Sequence, residues 1–184
     1  MVEPYEPEVG DQLRSMMPKG APPIGLFRTF ARNVNMTKAM GGWGRYELGG
    51  DLSLSMRQRE IVIDRTCARC GCEYEWGVHI LFFAERVAFT TPQLASLTHG
   101  EATDPCWSSN EALLIRAVDE LHDTSTISDA LWTVLAGHFD DAQLLDLTML
   151  CGWYHAISFT ARSARVAPEP GTPMFTDYLF SDYP

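Results

Sequence analysis

The chain has 184 residues, 46% of them hydrophobic and 21% charged, an ordinary globular mixture that fits one domain of about 100–200 residues. A chain of this size can bury roughly 70% of its unfolded surface, so it needs no disulfide or metal staple to fold. Acidic residues number 24 against 14 basic ones, for a formal net charge of −10. A field of that sign repels phosphate backbones and anionic lipid, so neither nucleic acid nor membrane is an expected partner, although a local arginine cluster could still hold a small anion.

Residues 1–23 carry Pro4, Pro7, Pro18, Pro22 and Pro23 and read as a loop-like, proline-rich segment. Met1 to Gly10 holds Glu3, Glu6 and Glu8 and no basic residue, the reverse of a secretory leader. No stretch approaches the ~18 continuous apolar residues of a membrane span. The expected location is therefore cytoplasmic. From Ile24 to Met40 the apolar residues recur at helical spacing, through Leu26, Phe27, Phe30, Ala31 and Val34. Gly41, Gly42, Gly44, Gly49 and Gly50 then leave room for only a short helical piece around Trp43–Leu48. That glycine cluster is no phosphate cradle, because it lacks Lys-Ser/Thr and opens no strand–helix unit.

Ser55 is a candidate cap for a helix over Arg57–Arg69, although Ile61, Ile63 and Thr66 keep a strand open as the alternative. Gly71 breaks the pattern, and a second helix is expected over about Glu73–Phe89. Shorter helices follow at Thr91–Leu97, at Asn110–Leu121 behind Ser108 or Ser109, and at Asp129–Gly137 behind Ser128. A long helix runs from Ala142 to about Val166 behind Asp140. The class is all-α, with a single domain over 24–166. The tail, 167–184, holds four prolines with Phe175, Tyr178, Phe180 and Tyr183; it is expected to dock on a neighbouring subunit or else to stay loose.

Five cysteines are an odd number, and three lie within Cys67–Cys72, which suggests reduced thiols rather than a disulfide framework. Cys72, Glu75 and His79 fall at i, i+3 and i+7 and share one helix face. A helix N-terminus at Cys72 would favour its thiolate, and His79 can exchange a proton near neutral pH. If 56–69 and 73–89 pair antiparallel about Cys70–Gly71, Glu60 and His79 lie at nearly equal depth, roughly 15 and 12 Å from the turn. Glu60 can then fix the tautomer of His79 and raise its basicity. The plainer reading of such spacings is a surface or satisfied histidine beside a solvated carboxylate, with the cysteines as small buried apolar residues.

The segments Arg57-Gln-Arg-Glu60-Ile-Val-Ile and Cys72-Glu-Tyr-Glu75-Trp-Gly-Val-His79 resemble the motif of the carboxymuconolactone decarboxylase and alkyl hydroperoxidase D superfamily. Asp119-Glu-Leu-His122, Ile127-Ser-Asp-Ala-Leu-Trp132, and Gln143-Leu-Leu-Asp-Leu with Gly152-Trp-Tyr154-His155 extend the resemblance over about 20–166. It implies an all-helical bundle of the alkyl hydroperoxidase D-like type that associates as dimers, trimers or hexamers; a homotrimer is the first expectation, because a short helical chain needs neighbours to close a pocket between its helix pairs. In the peroxidase branch a second cysteine attacks peroxide; here Glu75 stands at that position and cannot form a sulfenic acid. The resemblance therefore leans to the decarboxylase-like branch.

Four functions follow for testing. The first is a cofactor-free lyase or isomerase acting on a small carboxylated lactone or related enolisable acid. His79 would donate the proton, Glu60 would orient it, and Glu75 would be a second acid or base. Arg57 or Arg59 would hold the substrate carboxylate, unless they form only a solvated helix face, and Tyr154 would donate a hydrogen bond. The second is a thiol-dependent peroxidase or disulfide reductase using Cys72 with Cys70 or Cys67. The third is zinc held by Cys67, Cys70, Cys72 and His79, whose order lacks paired-knuckle spacing, so no metal and no cofactor is the expectation. The fourth is a non-catalytic helical oligomer. His155 could enter the same pocket as Tyr154, whereas His99, His122 and His138 are expected at the surface. Trp76 and Trp107 read as core or contact anchors, and Cys106 and Cys151 as buried apolar residues.

Overall fold

The computed structural model describes residues 3–179; Phe180 and Tyr183 of the expected aromatic tail lie outside them. Among the described residues there are nine α-helices, one closing 3-10 turn and no strand. They are α1 (Pro7–Ser15), α2 (Gly25–Phe30), α3 (Val34–Glu47), α4 (Met56–Arg69), α5 (Glu73–Phe83), α6 (Thr91–His99), α7 (Ser109–Thr124), α8 (Asp129–Leu135), α9 (Asp141–Ser163) and the turn Phe175–Tyr178. The all-α expectation holds, and the strand alternative for 57–69 is excluded.

Local chemistry sets most of the helix starts. Ser55 with Gln58, Thr90 with Gln93, Ser108 with Glu111 and Asp140 with Gln143 form reciprocal capping boxes, each satisfying two otherwise orphaned backbone N–H groups. Gly71, at φ +62, ends α4 in a left-handed residue, and the Cys72 N–H returns to the Cys67 carbonyl at 2.8 Å. This turn reverses the chain into α5.

α4 is the central rod and packs against α5, α6, α7 and α9. Ile61, Val62, Ile63 and Cys67 are fully buried there, and the same helix buries Arg59, Glu60, Asp64 and Arg65. So polar a helix can be central because its charges are matched. Arg65 makes a two-pronged pair with Asp119, at 2.7 and 2.9 Å. It also donates to the carbonyls of Ser96, Leu97 and Gly100 at the end of α6, where the helix dipole favours a cation.

Three expectations are corrected. Residues 7–15 form α1 rather than loop, because Pro7 occupies the first turn, where a missing N–H costs nothing, and Leu13 is buried. The expected helix Ile24–Met40 is two helices, broken at 31–33 where Asn33 caps α3 by accepting from Met36 N–H. α3 then runs through Gly41, Gly42 and Gly44 to Glu47, with Trp43 packed on Tyr46 and Trp153 outweighing the weak helix preference of glycine. A Cβ at Gly49 would lie 2.3 Å from the Arg45 carbonyl oxygen, so only glycine lets the chain leave α3 there. Third, the described part of the tail is not loose but packs on its own chain. Phe175 and Tyr178 meet Trp76 edge-on at 5.1 and 5.5 Å, and the Phe175 N–H donates to Glu73 at 2.6 Å. α5 itself stops at Phe83, short of Phe89, but its coil continues in turns to Ala88, which takes φ +52 while the Phe89 N–H bonds the Ala84 carbonyl.

Candidate active site

The α4–α5 hairpin delivers the contact that its spacing predicts. Glu60 Oε2 lies 2.7 Å from His79 Nδ1. Both side chains are buried, at 0% and 4% exposure. On the other ring nitrogen, Tyr154 of α9 places its hydroxyl 3.1 Å from His79 Nε2, and Glu75, one turn before His79, lies at 3.6 Å. Arg59 closes the other side of Glu60, with Nε at 2.7 Å and Nη2 at 2.6 Å from Oε1. Glu60, Glu75, His79 and Tyr154 therefore converge as one set.

The charge balance in this set favours a protonated imidazole. Burial alone would push His79 down, but the charge and hydrogen bond of Glu60, and then Glu75, outweigh it and push it up to about 10. With Nδ1 donating to Glu60, the second ring proton at Nε2 points to Tyr154 oxygen and towards Glu75. Burial, followed by the charges of Glu75 and Glu60, holds the Tyr154 phenol well above its ordinary value, so it stays neutral. The Phe83 ring lies 5.4 Å from the His79 ring, and the Arg59 and Arg86 guanidinium groups lie over that Phe83 ring at 4.9 and 5.5 Å.

Several expected members are elsewhere or differ in character. Arg57 is not in the site: it pairs with Glu111 at 2.6 Å, donates to the Val87 carbonyl and lies over Phe89. Arg59 is in the site, but its guanidinium is committed to Glu60 and the Leu48 carbonyl, so it offers no free fork to a substrate. Cys72 sits buried at the N-cap of α5, and burial raises its thiol despite the helix N-terminus, with backbone and Ser158 contacts only partly offsetting this. The solvated-face reading fails for Arg59, which is buried beside Glu60, whereas Arg57 is half-buried. His155 does not enter the pocket; it faces His122, with His155 Nε2 3.0 Å from His122 Nδ1, so His122 is half-buried rather than a surface residue. Cys106 is only partly buried. The side chains of Glu60, Glu75, His79 and Tyr154 are buried, while two open clefts of about 650 and 640 Å³ lie by the N-terminal segment, near Tyr5 and Gly25.

Asp64 escaped the sequence reading. It follows Glu60 by one helical turn and is 1% exposed, with Oδ1 unpartnered. Burial, then Glu60, pushes its carboxyl well above the ordinary value, so it is a neutral acid beside a charged one. The i, i+4 spacing of Glu60 and Asp64 on the inward face was the available signal. Oxygen and nitrogen atoms of Glu60, Asp64 and His79 lie within 4.8 Å of one another, but Glu60 is already occupied by Arg59 and His79, which suits proton transfer better than a cation. A second grouping of ligand type joins Cys70, His122 and His155, in place of the Cys67, Cys70, Cys72 and His79 set considered from the sequence.

No family model matches the sequence. Over 114 residues the chain is 32% identical to the uncharacterized protein YnjA of Escherichia coli (strain K12), and that alignment spans 61% of this chain and 61% of that protein. In three dimensions the chain matches the crystal structure of an uncharacterized peroxidase-related protein from Silicibacter sp. TM1040, with a TM-score of 0.80 over 95% of this chain and 92% of that one, at 18% identity. The helical fold is thus shared with that protein. Among the described residues no helix is long and apolar enough to cross a membrane.

Proposed function

We propose that the protein is a cofactor-free general acid–base catalyst of the carboxymuconolactone decarboxylase-like kind, acting on a small carboxylated lactone or related enolisable acid. The observation that carries this reading is the buried relay Glu60–His79–Tyr154, with the imidazole held cationic and Nε2–H as its only transferable proton. Loss of carbon dioxide from such a substrate breaks the carbon–carbon bond and leaves its electron pair as an enolate. His79 delivers the Nε2 proton to the carbanionic carbon, and solvent restores it. Glu60 keeps the ring cationic before transfer, and Tyr154 or Glu75 receives the Nε2–H in the resting state. With Arg59 engaged, the imidazolium itself offers the positive charge for the substrate anion. His79 is 4% exposed, so substrate entry requires neighbouring side chains to move, which makes closure over the substrate part of the same step.

The test is turnover of carboxymuconolactone and a panel of β-keto and vinylogous acids by the wild-type protein and by His79→Gln. Turnover that falls at least about 100-fold in the variant supports the role. Absence of wild-type turnover across the whole panel overturns it.

A second reading, a thiol peroxidase, draws on the free thiols Cys67, Cys70 and Cys72 gathered at one turn and on the peroxidase-related character of the structural relative. Cys72 thiolate would attack the peroxide, release the alcohol or water and become a sulfenic acid. Cys67 or Cys70 would then close a disulfide with loss of water, and an external dithiol would reduce it. The raised thiol of Cys72 weighs against it. Peroxide consumption accompanied by a loss of two thiols per chain would favour this reading over the acid–base one; an unchanged thiol count excludes it.

A further inference from the structure

We infer that Cys70, His122 and His155 form a binding site for one zinc-class divalent cation, separate from the His79 relay. The three residues come from different helices: Cys70 closes α4, His122 lies in the last turn of α7, and His155 lies midway along α9. Their ligand atoms all fall within 4.8 Å of one another. Cys70 Sγ is 4.0 Å from His122 Nδ1, and His122 Nδ1 is 3.0 Å from His155 Nε2. Zinc bonds of about 2.3 Å to sulfur and about 2.0–2.1 Å to nitrogen give tetrahedral edges of roughly 3.3–3.6 Å. The observed separations bracket those edges, so small rotations of the side chains seat the ion.

An independent feature fixes the donor atoms. His155 Nδ1 lies 2.8 Å from the Cys151 carbonyl oxygen. A carbonyl only accepts, so Nδ1 carries the proton and Nε2 presents its lone pair to the site. A backbone acceptor behind the distal nitrogen is the outer support that metal-bound histidines commonly have, because it sets both tautomer and ring orientation. In the metal-free chain His122 Nδ1–H donates to that lone pair. Cation binding moves this proton to His122 Nε2 and releases the Cys70 thiol proton to solvent, leaving one thiolate and two neutral imidazoles around the ion. The soft-plus-borderline donor set suits zinc rather than magnesium or calcium. Three protein ligands leave a fourth position for water, and the half-buried rings of His122 and His155 open that side outward.

The position gives the ion a structural consequence. Cys70 belongs to the turn that reverses α4 into α5, and its carbonyl is already held by Arg162 of α9 at 2.6 Å. A cation there ties that turn to α7 and α9 and so secures the hairpin from which Glu60 and His79 project.

The test uses the full chain with zinc chloride in competition against a chromophoric chelator, and cobalt(II) as the spectroscopic probe. One cation per chain is expected, with a thiolate-to-cobalt charge-transfer band, tetrahedral visible bands and a higher melting temperature. Cys70→Ser is expected to remove the charge-transfer band. His155→Gln and His122→Gln, checked for folding by circular dichroism, are each expected to weaken binding by more than about tenfold. Cys106→Ser, at a partly buried thiol outside the cluster, is expected to leave binding unchanged. No binding, binding that survives both histidine substitutions, or a cobalt spectrum without a thiolate band would overturn the site.

Discussion

Replacing Glu60 by Gln keeps the shape of the side chain and removes its charge. In the wild-type chain the Glu60 carboxylate, followed by Glu75, outweighs burial and lifts His79 from 6.5 to about 10. Each tenfold in proton affinity is worth about 1.4 kcal/mol, so the stabilisation of the imidazolium amounts to several kcal/mol. Once Glu60 is neutral, burial is the dominant remaining influence, and His79 is expected to fall below 6.5 even with Glu75 nearby. The other groups facing the ring are Arg59 through Glu60, the neutral Asp64 and the neutral Tyr154, none of which supplies a replacing anion. The assay is an NMR titration of the His79 ring carbons and nitrogens in both proteins. The sign for stability follows from a folded value above the unfolded one. The contribution is whole below about pH 6.5 and is lost as pH rises through about 10. Urea unfolding at pH 6 and pH 9.5 should show that decline in the wild-type chain and lose it in E60Q. E60Q also strands Arg59 without its anion, at a cost of about 3–5 kcal/mol. Should E60Q fail to fold, the wild-type titration still decides. A wild-type His79 that titrates near 6.5 refutes the charge balance described for the site.

Further outcomes are expected at other positions. Asp64→Asn should leave stability unchanged near pH 4 and raise it at pH 8, because the buried carboxyl is neutral in both folded and unfolded chains only at low pH and ionisation costs progressively more above the ordinary value of 3.8; equal shifts at both pH values in chemical unfolding would contradict a raised Asp64. Arg65→Met should destabilise by about 3–5 kcal/mol by leaving Asp119 only the longer contact with Arg69 at 3.5 Å and the α6 carbonyls without their donor, read as a lowered denaturant midpoint. Gly77→Ala would bring a Cβ within 2.7 Å of the Pro173 carbonyl, so faster proteolysis within 167–179 is expected, and unchanged proteolysis would show that the tail does not rest on α5. Self-association, a trimer first, is proposed through the exposed apolar side chains Leu145, Met149 and Phe159, which recur along one face of α9. Light scattering of L145E/F159E should return the monomer mass, and an unchanged assembly would place the contact elsewhere.

The parts legible in the sequence were those set by nearby residues. The Ser55, Ser108, Ser128 and Asp140 caps, the reversal at Gly71 and the equal depths of Glu60 and His79 all follow from spacing along one or two helices. What escaped was decided by distant partners. Arg57 and Arg59 are alike in sequence, yet Glu111 draws one out of the site and Glu60 holds the other within it. The tail docks on Trp76 through an aromatic match that no periodicity encodes. α3 continues through three glycines because Trp43 finds Trp153, more than a hundred positions away. The raised Cys72 thiol shows the same limit: a helix N-terminus argues for a thiolate, and only the packed surroundings reveal that burial prevails.

The most direct measurement is the reaction run in deuterium oxide with an accepted β-keto or lactone acid, followed by NMR of the product. His79 as the proton donor predicts one deuterium on a single face of the enolate carbon that takes the proton, with that selectivity and the rate both lost in His79→Gln. A His79→Gln protein that keeps the wild-type rate and places deuterium on the same face would contradict it.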